Sequence, residues 1–253
     1  MAIKRDEAIV LKRVPLRETS LLVTFFTRHQ GKIRGLAKGV RKEKNPIAVR
    51  FEPFTHLSVA YYEKLKSDTH LISDSAILSS HAALRSRLDL FAYASYFTEL
   101  IDVLFGVHDS HPDIFDLLQR SFLLLEQAHA NHVIRVFEIK VLEKAGLLPI
   151  LTHCVLCGKK EPFQAFFSAR QGGIICKGCD DGESGTIRIS NGTLKSLLFF
   201  TRARLDEAVK LRLGIQTQTE LERISSRFLQ YRLEYPLRTS HFLTEIKPIL
   251  KSI

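Results

Sequence analysis

Apolar and polar positions divide the chain into a strand-like stretch, a helical stretch, a short cysteine-bearing stretch and a helical return. Ala8-Ile9-Val10-Leu11 is a short apolar run, and Leu21-Leu22-Val23-Thr24-Phe25-Phe26-Thr27 is a second, rich in β-branched and aromatic residues. His29-Gln30-Gly31 reads as a turn into Lys32-Ile33-Arg34-Gly35-Leu36-Ala37, which makes a hairpin. Beyond Pro53, Leu57, Val59 and Tyr61 alternate with Ser58, Ala60 and Tyr62, and Leu65 with Leu71-Ile72 supplies a further short strand. Five short strands within about 75 residues suit a small closed barrel of the OB type, because closure removes the exposed edges.

From about residue 79 to residue 148 the period becomes helical. Leu90, Tyr93, Phe97, Leu100, Ile101 and Leu104 mark a broad apolar face. Ser110-His111-Pro112-Asp113 reads as a helix start, and Asn131 as the cap of a third helix that Gly146 stops. Residues 190–250 return to helix, with Ser190 as a cap and Leu221, Ile224, Phe228 and Leu229 as a core stripe. The expected class is α+β: an N-terminal OB-fold β-barrel over 1–78, then an α-helical domain over 79–253, interrupted by an insert at 151–189.

That insert holds the chain's only four cysteines. Cys154 and Cys157 form one C-x2-C pair, 18 residues separate them from the second, and Cys176 and Cys179 complete it. This is the spacing of a four-thiolate structural zinc site. Phe163 to Ser168, the turn Arg170-Gln171-Gly172-Gly173, and Ile174-Ile175 read as a hairpin clamped at its base, a zinc-ribbon-like piece. Disulfides would need an oxidising compartment. A thioredoxin-type role would need one such pair in a different setting. His153 is surplus beside four cysteines, and His129 with His132 fits no metal motif.

Charge then sharpens the picture. The net formal charge is +10. Residues 1–80 hold 15 Lys/Arg against 8 Asp/Glu, 81–150 hold 6 against 9, and 151–253 hold 16 against 10. The densest basic cluster is the loop bearing Lys38, Arg41, Lys42 and Lys44, with Arg28, Lys32 and Arg34 close by in sequence. A charge run is commonly a solvated loop. On an OB barrel, however, such a loop lies where oligonucleotides bind. Phe51, Phe54, Tyr61 and Tyr62 follow it and offer stacking faces, shared with the demands of a core. No phosphate-loop, dinucleotide, nucleophile-elbow or deaminase motif is present, which favours binding over catalysis. No apolar run is long enough to span a membrane, and the N-terminus lacks a signal-peptide core, so a reducing cytoplasm is expected.

Together these stretches resemble the bacterial RecO family of DNA repair proteins. The resemblance rests on Ala8-Ile9-Val10-Leu11, Arg17-Glu18-Thr19-Ser20, Gly31 through Arg41, Pro53-Phe54, Tyr61-Tyr62, Gly146-Leu147-Leu148-Pro149 and Cys176-Lys177-Gly178-Cys179. It implies an OB fold, a helical domain and a structural Zn2+ on the four cysteines. It further implies binding of single- and double-stranded DNA, annealing of complementary strands, and a nucleoid setting. The implied partners are RecR and single-strand-binding protein (SSB), with RecA assisted indirectly. Lys38 and Arg41 are the implied DNA contacts. Arg28, Lys32, Arg34, Lys42 and Lys44 join them from charge density alone. The alternatives are a zinc-ribbon nucleic-acid-modifying enzyme that uses the barrel to capture substrate, and a protein–protein adaptor with incidental charge.

Overall fold

The long first strand sets the architecture. The structure, a computed structural model, describes residues 2–42, 46–64, 67–127, 130–160, 162, 164–182 and 185–250. Strand β1 (Ile3–Leu16) pairs with β2 (Ser20–Thr27) along one edge and with β4 (His56–Tyr62) along the other. A bulge between Val10 and Lys12 lets one strand serve both neighbours by bending it. Strand β3 (Gly31–Ala37) continues antiparallel from β2, and β5 (Thr69–Ser79) closes the circle between β3 and β4. The order β1-β2-β3-β5-β4 is a closed, OB-like barrel. Leu65 of the expected fifth strand lies outside the described residues.

Alternation explains the barrel interior. Ala8 and Val10, Val23 and Phe25, and Leu57, Val59 and Tyr61 point inward and are buried in one cluster with Leu21, Ile33 and Phe51. Each fully buried side chain of this size stabilises by about 1.5–3 kcal/mol before entropy is counted. Phe25 meets Phe51 edge-on at 6.1 Å, which fixes the 3-10 turn Pro46–Phe51 against the barrel. Gly31 turns the β2–β3 hairpin with φ +64°, and a Cβ there would sit 2.0 Å from the Asp109 carbonyl oxygen. Only glycine fits both constraints.

The outer side of the barrel carries helices α1 (Ala82–Ser86), α2 (Leu88–Leu104) and α3 (Pro112–Gln127). Phe26 packs on Phe105 at 6.1 Å, and His56 packs on Phe115 at 5.6 Å. Pro112 is the first residue of α3, and the carbonyl of His111, not Ser110, accepts the first helical N–H groups.

Downstream come α4 (Ala130–Lys144), the three-stranded sheet β7-β6-β8, then α5 (Asn191–Arg202), α6 (Leu205–Ala208), α7 (Ile215–Arg232) and α8 (Arg238–Leu250). The sheet strands are β6 (Ala165–Ser168), β7 (Gly173–Cys176) and β8 (Thr186–Ile189). The Ser190 hydroxyl accepts from the Thr193 amide at 3.2 Å and caps α5 as its sequence predicts. The Glu99 carboxylate of α2 accepts from the Arg238 and Thr239 amides and holds the start of α8.

Two compact units result: residues 1–130 with 237–253, and residues 131–236. This grouping cuts the chain differently from the partition expected at 78/79 and 151–189. The helices α1–α3 and α8 group with the barrel, while the cysteine sheet groups with α5–α7. No helix among the described residues is long and apolar enough to cross a membrane.

Candidate nucleic-acid interface and metal centre

In the second unit, β6 and β7 bring the two cysteine pairs together. Ala165 pairs with Cys176, and the Val155 amide donates to Ile174 O at 2.9 Å, drawing the first knuckle onto the sheet. Gly158 turns that knuckle with φ +75°. All four sulfurs lie within 4.8 Å of one another, and Cys157 Sγ is 3.7 Å from Cys176 Sγ. A tetrahedron with metal–sulfur bonds of about 2.3 Å has edges of about 3.8 Å, so the four thiols fit a single tetrahedral ion. Burial opposes ionisation of Cys154, but the amides of Cys157, Cys176 and Leu156 outweigh it and bring the thiol down to about 6. Hydrogen bonding from Cys157, then Cys176, pushes Cys179 up to about 12. One thiolate thus raises the cost of the next, and a divalent cation is the charge that reverses this order. Four protein sulfurs leave no open coordination position, the pattern of a structural site.

The second cluster sits on the barrel. On β3 the side chains alternate, with Ile33 and Ala37 inside and Arg34 outside, exposed between Thr24 of β2 and Thr69 of β5. Lys38, Arg41 and Lys42 follow in the turn after β3, and all three are exposed. The β1–β2 turn meets them there. Arg41 N donates to Thr19 O at 2.9 Å, and Arg41 Nη1 donates to Arg17 O at 3.2 Å. That single contact leaves most of the guanidinium's donors outward. Among the described residues, no carboxylate pairs with Arg17, Arg34, Lys38, Arg41 or Lys42. Arg17 was not among the DNA contacts expected from the sequence. Its signal is its place in the β1–β2 turn, one of the OB loops beside the ligand face.

Two of the candidate cations have a different setting. Arg28 forms ion pairs with Asp116 at 2.8 Å and Glu7 at 3.5 Å, and its guanidinium lies 4.7 Å from the Phe115 ring centroid. Lys32 donates to the Asp102 carboxylate at 3.1 Å and to the Asp102 carbonyl, with its side chain 13% exposed. Asp102 also receives Lys12 at 2.6 Å. Desolvation pushes the Asp102 carboxyl up, and these two lysines more than offset it, holding it below its ordinary value. Both cations join the barrel to α2 or α3, so a phosphate would have to compete with a formed ion pair. Lys44 lies outside the described residues.

The aromatics divide in the same way. Phe51, Phe54 and Tyr61 are each 1% exposed and belong to cores. Phe54, held at φ +70°, packs against Phe91 and Phe122, and Tyr61 stacks on His70 at 5.1 Å. Tyr62 alone of the four is half-buried. It is opposite Leu71, which is opposite Leu36, which is opposite Leu22. One outward row of the barrel is therefore aliphatic and aromatic, next to the row of Arg34.

Comparison with known proteins follows this geometry. The family model described as Recombination protein O N terminal matches residues 1–81, and Recombination protein O C terminal matches residues 85–241. The chain is 32% identical over 246 residues to the DNA repair protein RecO of Anaeromyxobacter dehalogenans (strain 2CP-C), covering 96% of each. It is 30% identical over 247 residues to that of Desulforamulus reducens, covering 97% of this chain and 96% of the relative. With that of Syntrophomonas wolfei it shares 32% over 224 residues, 86% of each.

Proposed function

This chain belongs to the RecO family of DNA repair proteins, and from that premise we propose that it is a recombination mediator that binds single- and double-stranded DNA and anneals complementary strands. The observation that carries the reading is the set of exposed cations Arg17, Arg34, Lys38, Arg41 and Lys42 on two adjoining turns and one strand of an OB-like barrel. Annealing needs no catalytic residue. A basic surface lowers the mutual repulsion of two strands and raises their local concentration. If all five cations neutralise phosphates, log K for a single strand falls with log[salt] at a slope of about −3.5. Unpaired bases would pack on Tyr62 and the adjacent leucines.

The metal in this reading is zinc, held by Cys154, Cys157, Cys176 and Cys179 to fix the ribbon. It takes no part in annealing. The partners are SSB on the coated strand, RecR, and RecA as the protein whose loading is assisted, in the nucleoid of the cytoplasm. The test is annealing of two complementary labelled oligonucleotides coated with SSB, without nucleotide. Rapid duplex formation is expected. Binding of bare strands without annealing would reduce the protein to a DNA-binding module, and no binding at all would overturn the reading.

A further inference from the structure

The second unit has a cation-lined groove of its own, whose larger hollow reaches Leu156 and Cys179 at the edge of the cysteine site. It runs along α7 beside the start of β8, as two adjoining hollows of about 590 and 520 Å³ that share Gly185, Thr186, Arg227 and Gln230. On α7, Arg223, Arg227 and Tyr231 follow at i, i+4 and i+8, so they stand in one line on one face. All three are exposed, Tyr231 by 56%. The adjoining face of α7 is apolar and buried, with Leu221, Ile224 and Phe228 inside, so the arginine line runs along the border of the buried stripe with its side chains exposed. Successive members are about 6 Å apart along the axis, on the scale of one to two nucleotides of a strand.

Charge and chemistry narrow the ligand. Among the described residues, no carboxylate pairs with Arg223 or Arg227. The walls carry, among the described residues, two acids, Asp181 and Glu222, each engaged within the chain. Gln230 adds a neutral donor, while the Thr186 hydroxyl donates to Asp180 Oδ1 at 3.1 Å. Guanidinium forks match phosphate oxygens bidentately. The exposed phenol at the end of the line offers a stacking face to an unpaired base. The lining is more polar than apolar.

We infer that the α7 groove is a second site for single-stranded nucleic acid, separate from the barrel turns. The inference rests on the DNA-binding reading above and extends it: one chain holds two strand segments, each on its own unit. Annealing requires two strands, and two sites on one chain supply them without a second protomer.

The test is a stoichiometric titration of the full chain with a fluorescein-labelled eight-nucleotide oligo-dT at low salt. The chain is expected to bind two oligonucleotides. The double variant Arg223→Gln and Arg227→Gln is expected to bind one, with its total salt slope reduced by about 1.4. Lys38→Glu with Arg41→Glu is also expected to bind one, and all four changes together none. Gln keeps helix propensity and the sites are exposed, so far-UV circular dichroism and metal content should be unchanged. An iodouracil-containing oligonucleotide should in addition crosslink to the peptide bearing Tyr231. Unchanged stoichiometry and affinity in the α7 variant would overturn the inference. So would displacement of the oligonucleotide from the α7 site by an equimolar octaglutamate peptide. Failure of the barrel variant alone to lose an oligonucleotide would count against the barrel site and leave the α7 site standing.

Discussion

The barrel and the ribbon are both small β structures, and they are held together by different means. The barrel closes on itself around a large apolar cluster that includes Val10, Phe25, Ile33, Leu57, Val59 and Tyr61. The ribbon has short strands of four residues, and the cluster at its knuckle end is built from Cys154, Ile175 and Cys176 with Val155, Phe166 and Cys179 around them. Three of its members are thus cysteines of the candidate metal site. A closed barrel spends its hydrophobic residues on its own interior. A ribbon this small has too little to bury, and cross-linking by the proposed metal would offset the deficit.

The largest expected effect breaks the ribbon and spares the barrel. Chelation, or Cys154→Ser, should abolish hydrogen-exchange protection across residues 165–189. Protection in β1, β2 and β4 should remain. The free energy at stake is on the order of 10 kcal/mol, as in metal-folded peptides. Loss of protection in the barrel strands under the same chelation would erase the contrast.

A smaller effect sharpens the contrast from the other side. Burial holds the His56 and His81 imidazoles below their ordinary values, although Glu7 and Glu126 oppose it. The unfolded chain therefore binds more protons in acid. The stability owed to these neutral rings is complete above about pH 6.5 and is lost as pH falls toward their folded values. His56 hydrogen-bonds Glu7 at 3.0 Å and Gln119 at 3.0 Å, and His81 lies 3.6 Å from Glu126. Melts of the metal-loaded protein between pH 7.5 and 5.5 should show the first unit losing stability with acid. The double variant His56→Gln and His81→Gln should flatten that slope, and an unaltered slope would remove these histidines from the account.

How much was legible in the sequence follows the range of the interactions. The five barrel strands showed because Leu57, Val59 and Tyr61 alternate locally with more polar neighbours. The cysteine site showed because its spacing is itself the signal. Strand β8 was missed. Ile187 and Ile189 alternate with Arg188, but a strand of four residues between a loop and a helix cap gives the period too little length. The roles of Arg28 and Lys32 were not legible for another reason. Their partners Asp116 and Asp102 lie far along the chain, and charge density records cations without recording which are already paired. The grouping of α8 with α2 depends likewise on Glu99 reaching Arg238 and Thr239.

That distinction between paired and outward cations is the centre of the account, and one measurement tests it most directly. Affinity for a labelled single-stranded oligonucleotide would be followed against salt concentration for the unaltered protein, for Lys38→Glu with Arg41→Glu, and for Arg28→Ala. The account predicts that the double reversal weakens binding at least tenfold and flattens the salt slope at an unchanged melting temperature. Arg28→Ala should lower the melting temperature, leaving Asp116 unpaired, and keep the salt slope. Full affinity in the double reversal, or a salt slope lost in Arg28→Ala alone, would contradict it.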